Sequence, residues 1–419
     1  MSTTILPEDA EAQSALYNYD ESKVGPYTLP DPLVCADGTK IADAKAWREK
    51  RRPEILELFR THVYGRSPAK LGKLVHELGA ADSKALDGKA TRQEIRIFLD
   101  GKKGGHCMTL LLYVPNGAKQ PVPAFLGMNF EGNHTIDNDP GITITEQWTW
   151  DAKEKTSKLV KPNEATRGKS IGRWPLEVIL ARGYAVATVT RADVEPDYAA
   201  GWKHGLRAAL SKVGANTQWK ADDWGAVAAW GWGLSRALDY LETRGDVDAK
   251  RVALIGHSRL GKASLWAGAE DERFAMVISN NSGEGGAALA RRNFGETVER
   301  INTSFPHWFC TNFKKYNQDV SALPVDAHEL ISLIAPRPVY VASAEEDKWA
   351  DPKGEFLSAK HAEPVYQLLG KKGLGTSDWP PVNTPVGETI GYHVRTGKHD
   401  VTDYDWACYL GFADRHFKK

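Results

Sequence analysis

Ser258 stands in the stretch Gly256-His257-Ser258-Arg259-Leu260-Gly261-Lys262, between the apolar run Arg251–Ile255 and a helix-like run to Ala269. A serine on a sharp strand-to-helix turn has its side chain exposed above the sheet edge, and the first N–H groups of the helix face any oxyanion formed there. Gly256 relieves crowding just before the turn. The second glycine of such elbows normally lies two residues after the serine. Leu260 occupies that place here, with Gly261 following. Without further support the same pattern fits a structural turn whose serine only caps a helix.

Serine is a weak nucleophile and needs a base, itself oriented by an acid. On this type of sheet the chain order is serine, acid, histidine. Three histidines come late. His393 falls inside a strand-like run and His416 in the terminal helix. His399, in TGKHD before that helix, has the expected station. The acid should follow the preceding strand, Pro336–Ala344, where Glu345, Glu346, Asp347 and Asp351 stand. Glu284 in NNSGEGG, after the strand next to the elbow, is a second possibility, and position alone leaves the choice open.

Elements that would carry these groups are legible around them. Asp43–His62 has helical spacing, with Pro53 marking a start or a break. Strand-like runs follow at Leu74–Leu78, Arg92–Leu99 and Met108–Pro115, the last two joined by the hairpin signal DGKKGG. Buried strands are expected at Pro121–Phe130, Tyr184–Arg191 and Phe274–Ser279. Trp174–Arg182, Gly225–Glu242 and Thr402–Phe417 read as helices, the last opened by a Thr402/Asp405 capping box. Strands alternate with helices from about residue 120 onward. That pattern predicts an α/β-hydrolase fold: a mostly parallel, doubly wound sheet with an N-terminal antiparallel portion. One domain is expected over 1–419, with 1–45 wrapping the surface and 135–172 and 195–222 as loop insertions.

Formal net charge is zero, which argues against a nucleic-acid binder driven by phosphate contacts. No apolar run reaches membrane-spanning length. The N-terminus shows no signal-peptide pattern. Cys35, Cys107, Cys310 and Cys408 lack metal-ligand spacing and read as buried apolar residues. The fourteen tryptophans suggest stacking surfaces for sugar or aromatic rings, beside their ordinary use in packing.

At GHSRLGK (256–262), NNSGEGGAALARRNFGET (280–297), SFPHWFC (304–310), EEDKWADP (345–352) and GKHD (397–400) the chain resembles the glucuronoyl esterases, carbohydrate esterase family 15. VYGRSP and NFEGNHT fit the same pattern, so the resemblance covers most of the chain. It implies a carboxylic ester hydrolase acting on esters of glucuronic or 4-O-methylglucuronic acid, such as xylan–lignin cross-links. It implies no metal or organic cofactor, no nucleic-acid or membrane partner, a monomer, and a secreted or periplasmic location. Ser258 would be the nucleophile, His399 the base and Arg259 an oxyanion stabiliser. Lys262, Glu296 and Trp349 would contact the sugar; without the resemblance they read as a surface salt bridge and a core tryptophan. An acetyl xylan esterase on the same fold, or a carbohydrate-binding protein without activity, are the rival expectations.

Two positions depart from the family pattern. Many fungal members carry a disulfide-bonded cysteine before the serine, where this chain has His257, as in the bacterial type. They carry the acid where this chain has Asn281, which cannot serve. Asp347 is therefore the expected acid, because it lies just beyond the strand ending at Ala344. Asp351 precedes Pro352 and is expected to shape the loop. Glu284, in its glycine-flanked turn, is expected to point elsewhere.

Overall fold

The computed structural model describes residues 17–69, 71–119, 121–211 and 219–418. Residues 1–16 of the expected wrapping segment and 212–218 of the second expected insertion lie outside the described residues.

The helix expected over Asp43–His62 is present but is built in three pieces. A short turn, Ala44–Ala46, leads into a π-helical turn, Trp47–Arg51, and then α1, Arg52–His62. Pro53 lacks an N–H and its ring crowds the preceding turn. The widened turn, closed by the Arg52 N–H on Trp47 O, gives that ring room and lets the helix continue.

Among the described residues twelve strands follow in chain order. They are β1 Val75–Leu78, β2 Asp82–Lys84, β3 Ala90–Phe98, β4 Cys107–Pro115, β5 Val122–Asn129, β6 Gln147–Asp151, β7 Thr156–Val160, β8 Ala185–Thr190, β9 Val247–His257, β10 Met276–Asn280, β11 Val339–Ala344 and β12 Ile390–Arg395. One sheet has the order β1-β3-β4-β8-β5-β9-β10-β11-β12, with β2 paired to β3. Pairings from β1 to β8 along this order are antiparallel, and those from β8 onward are parallel. The parallel strands are apolar runs, buried throughout in β5, β8 and β11, because helices cover both faces.

Alternate residues divide between two cores. Leu110, Leu126 and Val277 enter one cluster, which also holds Ile55 and Phe59 of α1. Leu111, Phe125 and Ile278 enter the other. The first face carries the wholly buried helix Ala226–Leu241 and the elbow helix Arg259–Glu270. The second carries Leu176–Ala181 and Asp403–Phe417, the latter opened by the expected Thr402/Asp405 capping box. Much of the tryptophan content serves these cores: Trp47, Trp230, Trp266 and Trp406 are fully buried.

The stretch 135–172 is more ordered than its polar composition suggests, since β6 and β7 form an antiparallel hairpin within it. Aromatic contacts tie this hairpin to the second insertion. Trp148 stacks on His204 with ring centroids 3.7 Å apart, and Trp150 meets Tyr198 at 6.0 Å.

Strand order also arranges the chemistry. β9, β10, β11 and β12 are neighbours, and their C-terminal ends deliver Ser258, Asn281, Asp347 and His399 in turn. The crevice beyond the carboxyl ends of parallel strands is where open α/β sheets place ligands.

Candidate active site

Ser258 joins β9 to the helix Arg259–Glu270 with φ 57° and ψ −130°, a left-handed conformation that a side chain rarely adopts. The surroundings fix it. Ser258 N–H donates to Asn280 O at 2.8 Å, and Ser258 O accepts from Gly261 N–H at 2.8 Å. A Cβ on Gly256 would lie 2.0 Å from Leu260 O, so only glycine lets strand and helix approach this closely. A Cβ on Gly261 would lie 2.9 Å from the Ser282 Cβ. The second glycine is thus required where the helix meets the turn after β10. Leu260 is simply buried in the core.

His399 Nδ1 donates to Asp347 Oδ2 at 2.6 Å. A carboxylate only accepts, so Nδ1 carries the proton and Nε2 is left as a base. The His399 ring lies 4.5 Å, centroid to centroid, from the ring of His257, the residue before Ser258. Asn281 Nδ2 donates to the same Asp347 oxygen at 2.8 Å. Asn281 therefore presents an amide to the Asp347 carboxylate from the neighbouring strand.

The loop bearing His399 is gripped from behind. The Arg395 guanidinium donates to the carbonyl oxygens of Thr396, Lys398 and Asp400 at 2.9, 3.0 and 2.6 Å. Its Nε donates to Asp405 Oδ2 at 2.7 Å. Asp405 also accepts from His393 Nε2 at 2.9 Å and from Asn280 Nδ2 at 3.3 Å. Asn280 Oδ1 in turn accepts from His257 Nδ1 at 2.6 Å. Burial, and then the nearby His399, hold the His257 imidazole well below its ordinary pKa, so it stays neutral beside His399.

The other acidic residues lie elsewhere. Glu284 Oε1 accepts from the N–H of Gly285 at 3.0 Å, and burial followed by Asp326 raises its carboxyl well above the usual range. Asp351 caps the helix Pro352–His361 and accepts from Arg292 Nε at 2.7 Å. Glu345 and Glu346 are exposed.

Lys262, Glu296 and Trp349 form a second group beside the elbow helix. Lys262 Nζ lies 3.9 Å from Glu296 Oε2 and 5.7 Å from the Trp308 ring centroid. It also donates to the carbonyls of Ser282 and, at 2.7 Å, Glu284. Lys262 is buried and largely committed to the turn after β10. Glu296 N–H donates to Trp349 O at 3.0 Å. Burial raises the Glu296 carboxyl, while Lys262 and Arg259 draw it back down.

Arg259 Nη1 donates to Asp197 Oδ2 at 2.6 Å, and its guanidinium lies 4.7 Å from the Trp308 ring centroid. Asp197 carries no local sequence signal, and SFPHWFC stands out in the sequence only as a family motif, with no role for His307 or Trp308.

The N-terminal segment is expected from the sequence only to wrap the surface. In fact Tyr17 meets Trp349 edge-on at 5.2 Å, and Asn18 O accepts from Gly295 N–H at 2.8 Å. Glu21 pairs with Arg292 and, at 2.9 Å, with Lys353. The segment's proximity to Glu296 and Trp349 has no local sequence signal.

Among the described residues no cluster of three or more His, Cys, Asp or Glu side chains is placed to hold a metal ion. No helix among them is long and apolar enough to cross a membrane. A separate cleft at the far end of the elbow helix is lined by Arg60, Trp232, Arg236, Glu270, Asp271 and Arg273. It contains none of the residues above, and its arginines are ion-paired.

A family model for glucuronyl esterases of fungi matches residues 216–370. Carbohydrate esterase MZ0003, from an unknown prokaryotic organism, is 51% identical over 416 residues, covering 99% of this chain and 96% of that protein. The solved glucuronoyl esterase from Solibacter usitatus is 52% identical with a TM-score of 0.90, over 94% of this chain and 100% of that one. A glucuronoyl esterase from Sporotrichum thermophile has been solved in complex with methyl 4-O-methyl-beta-D-glucopyranuronate. It is 19% identical, covers 93% of this chain and 87% of its own, and shares the fold at a TM-score of 0.64.

Proposed function

The chain belongs to the glucuronoyl esterases of carbohydrate esterase family 15, a family of carboxylic ester hydrolases, and from that premise we propose that it is a serine esterase cleaving esters of glucuronic or 4-O-methylglucuronic acid, including those that join xylan side chains to lignin alcohols. Ser258 attacks the uronoyl carbonyl while His399 Nε2 takes its proton. Asp347 holds the His399 tautomer and stabilises the imidazolium that forms. Arg259 and the first N–H groups of the elbow helix stabilise the oxyanion. The alcohol leaves with the proton from His399. Water, activated by the same nitrogen, then frees the acid from Ser258.

Glu296 and Trp349, with Lys262 behind them, bind the sugar. Every one of these groups comes from a single chain, which fits a monomer, and a polymeric cell-wall substrate fits action outside the cytoplasm. The observation that carries the reading is the 2.6 Å bond from His399 to Asp347, with that imidazole against His257 at the elbow.

Turnover of methyl 4-O-methylglucuronate tests it. Ser258→Ala should lose turnover down to background with unchanged circular dichroism and melting temperature, and a fluorophosphonate should label only the serine form. Activity near the parent level in Ser258→Ala would remove the serine as nucleophile. Faster turnover of acetylated xylan than of the glucuronate ester would instead make this an acetyl esterase.

A further inference from the structure

Asp197 lies in the loop after β8, with a side chain only 3% exposed, and the reaction as derived above gives it no part. Both of its oxygens are fully engaged. Oδ1 accepts from His307 Nε2 at 2.9 Å and from Trp308 Nε1 at 2.7 Å. Oδ2 accepts from Arg259 Nη1 at 2.6 Å and pairs with Arg191 Nη1 at 3.2 Å. All four partners are donors, so an acceptor-only group is required at their meeting point.

The charges do not cancel. Two guanidiniums, with side chains 28% and 19% exposed, share one buried carboxylate, which leaves the group with one net positive charge. Burial alone would raise the Asp197 carboxyl, but Arg191, His307 and Arg259 hold it below the usual carboxylate range. It therefore stays ionised.

Arg259 is confined from a second direction. Its guanidinium carbon lies 4.7 Å from the Trp308 centroid and 5.2 Å from that of Phe305. Those two rings are stacked 3.8 Å apart at 4°. Trp308 thus acts twice: its N–H anchors Asp197, and its face carries Arg259. The Nε of Arg259 is buried and has no acceptor.

We propose that Asp197 is the positioning residue that holds Arg259 in place beside Ser258, and that the Arg191–Asp197–Arg259 group keeps one net positive charge there for the developing oxyanion. The proposal rests on the reading of Ser258 and Arg259 given above. Asp197 does not touch substrate; it acts through Arg259, with His307 and Trp308 as its own supports.

A double-mutant cycle on the glucuronate ester tests this. Losing an oxyanion donor through Arg259→Ala should lower kcat by about a hundredfold or more. Asp197→Asn turns an amide against donors and removes the charge, and should lower kcat by roughly ten- to a hundredfold with KM little changed. In the Arg259→Ala background the same change should cost less than about twofold, because the residue it positions is gone. Trp308→Phe removes the indole N–H and leaves a smaller ring under Arg259. It should give a smaller loss of kcat that likewise vanishes with Arg259→Ala, and it decides the matter if Asp197→Asn fails to fold by thermal melting. Equal, additive losses in both backgrounds would overturn the proposal and make Asp197 a structural residue. Full activity of Arg259→Ala would overturn it together with the assigned role of Arg259. The assignment of the nucleophile stands or falls separately, on Ser258→Ala.

Discussion

Two buried carboxylates flank the elbow serine, and they serve their partners in opposite ways. Asp347 holds His399, whose side chain is 40% exposed on a loop, and shares its oxygen with one neutral amide, Asn281. Asp197 holds Arg259, stacked against aromatic rings, and collects four donors. A general base must exchange protons with the leaving alcohol and with water, so it needs an open position and one fixed tautomer. A charge that stabilises an oxyanion must be fixed before the reaction and kept dry, where it acts more strongly. The wetter side, at His399, rests on a carboxylate with two donors and on the Arg395 grip behind its loop; the drier side, at Arg259, rests on a carboxylate with four donors.

The largest effect that bears on this contrast is at the wet side. Asp347→Asn should lower kcat by roughly two to four orders of magnitude, as expected when a triad acid no longer selects the tautomer. Glu284→Gln should leave kcat within a few-fold of the parent, because its carboxylate meets the backbone of its own turn. If the two losses were exchanged, Asp347 would not be the acid.

Intermediate effects belong to the sugar side. Glu296→Gln should weaken catalysis on glucuronate esters by about 1–3 kcal/mol and leave hydrolysis of an aryl acetate nearly unchanged. Lys262→Ala should harm both substrates, since Lys262 also fastens the carbonyls of Ser282 and Glu284. Equal losses from Glu296→Gln on both substrates would point to a general electrostatic role for that residue.

The smallest effect is one of stability. His257 is kept neutral when folded, whereas the unfolded chain binds a proton below its ordinary pKa of 6.5. Between those values the unfolded state binds more protons, so stability falls as pH drops below about 6.5, by up to about 1.4 kcal/mol per pH unit. Above that pH the group contributes no slope. Chemical denaturation at a series of pH values should show this limb, and His257→Asn should flatten it. An unchanged slope in the variant would assign the acid sensitivity to other groups.

The sequence made one half of this picture readable. Ser258, His399 and the candidate acids stand at strand ends. There, apolar runs and turn residues announce themselves locally, and strand order then makes chain order a guide to space. Helix ends were equally legible where a cap defines them, as at Thr402. What stayed hidden depends on contacts between distant segments. Asp197 sits in ADVEPDY, one acidic loop residue among several, and only the packing of SFPHWFC against it distinguishes it. Pro53 reads as a start or a break because the π turn that accommodates it has no composition of its own. In the β6–β7 hairpin Trp148 and Trp150 do alternate with polar residues, but the run is only five residues long and its partner Thr156–Val160 is largely exposed, so the pattern is easily lost in the polar stretch around it.

The grip of Arg395 on the histidine loop is made entirely to carbonyl oxygens. Thr396 and Lys398, whose oxygens it holds, turn exposed side chains outward. The identity of those residues is thereby uncoupled from the placement of His399. The rim beside the base is open to drift or redesign in charge, size or glycan affinity, and a library at positions 396 and 398 can retune what approaches the catalytic centre while its geometry stays put.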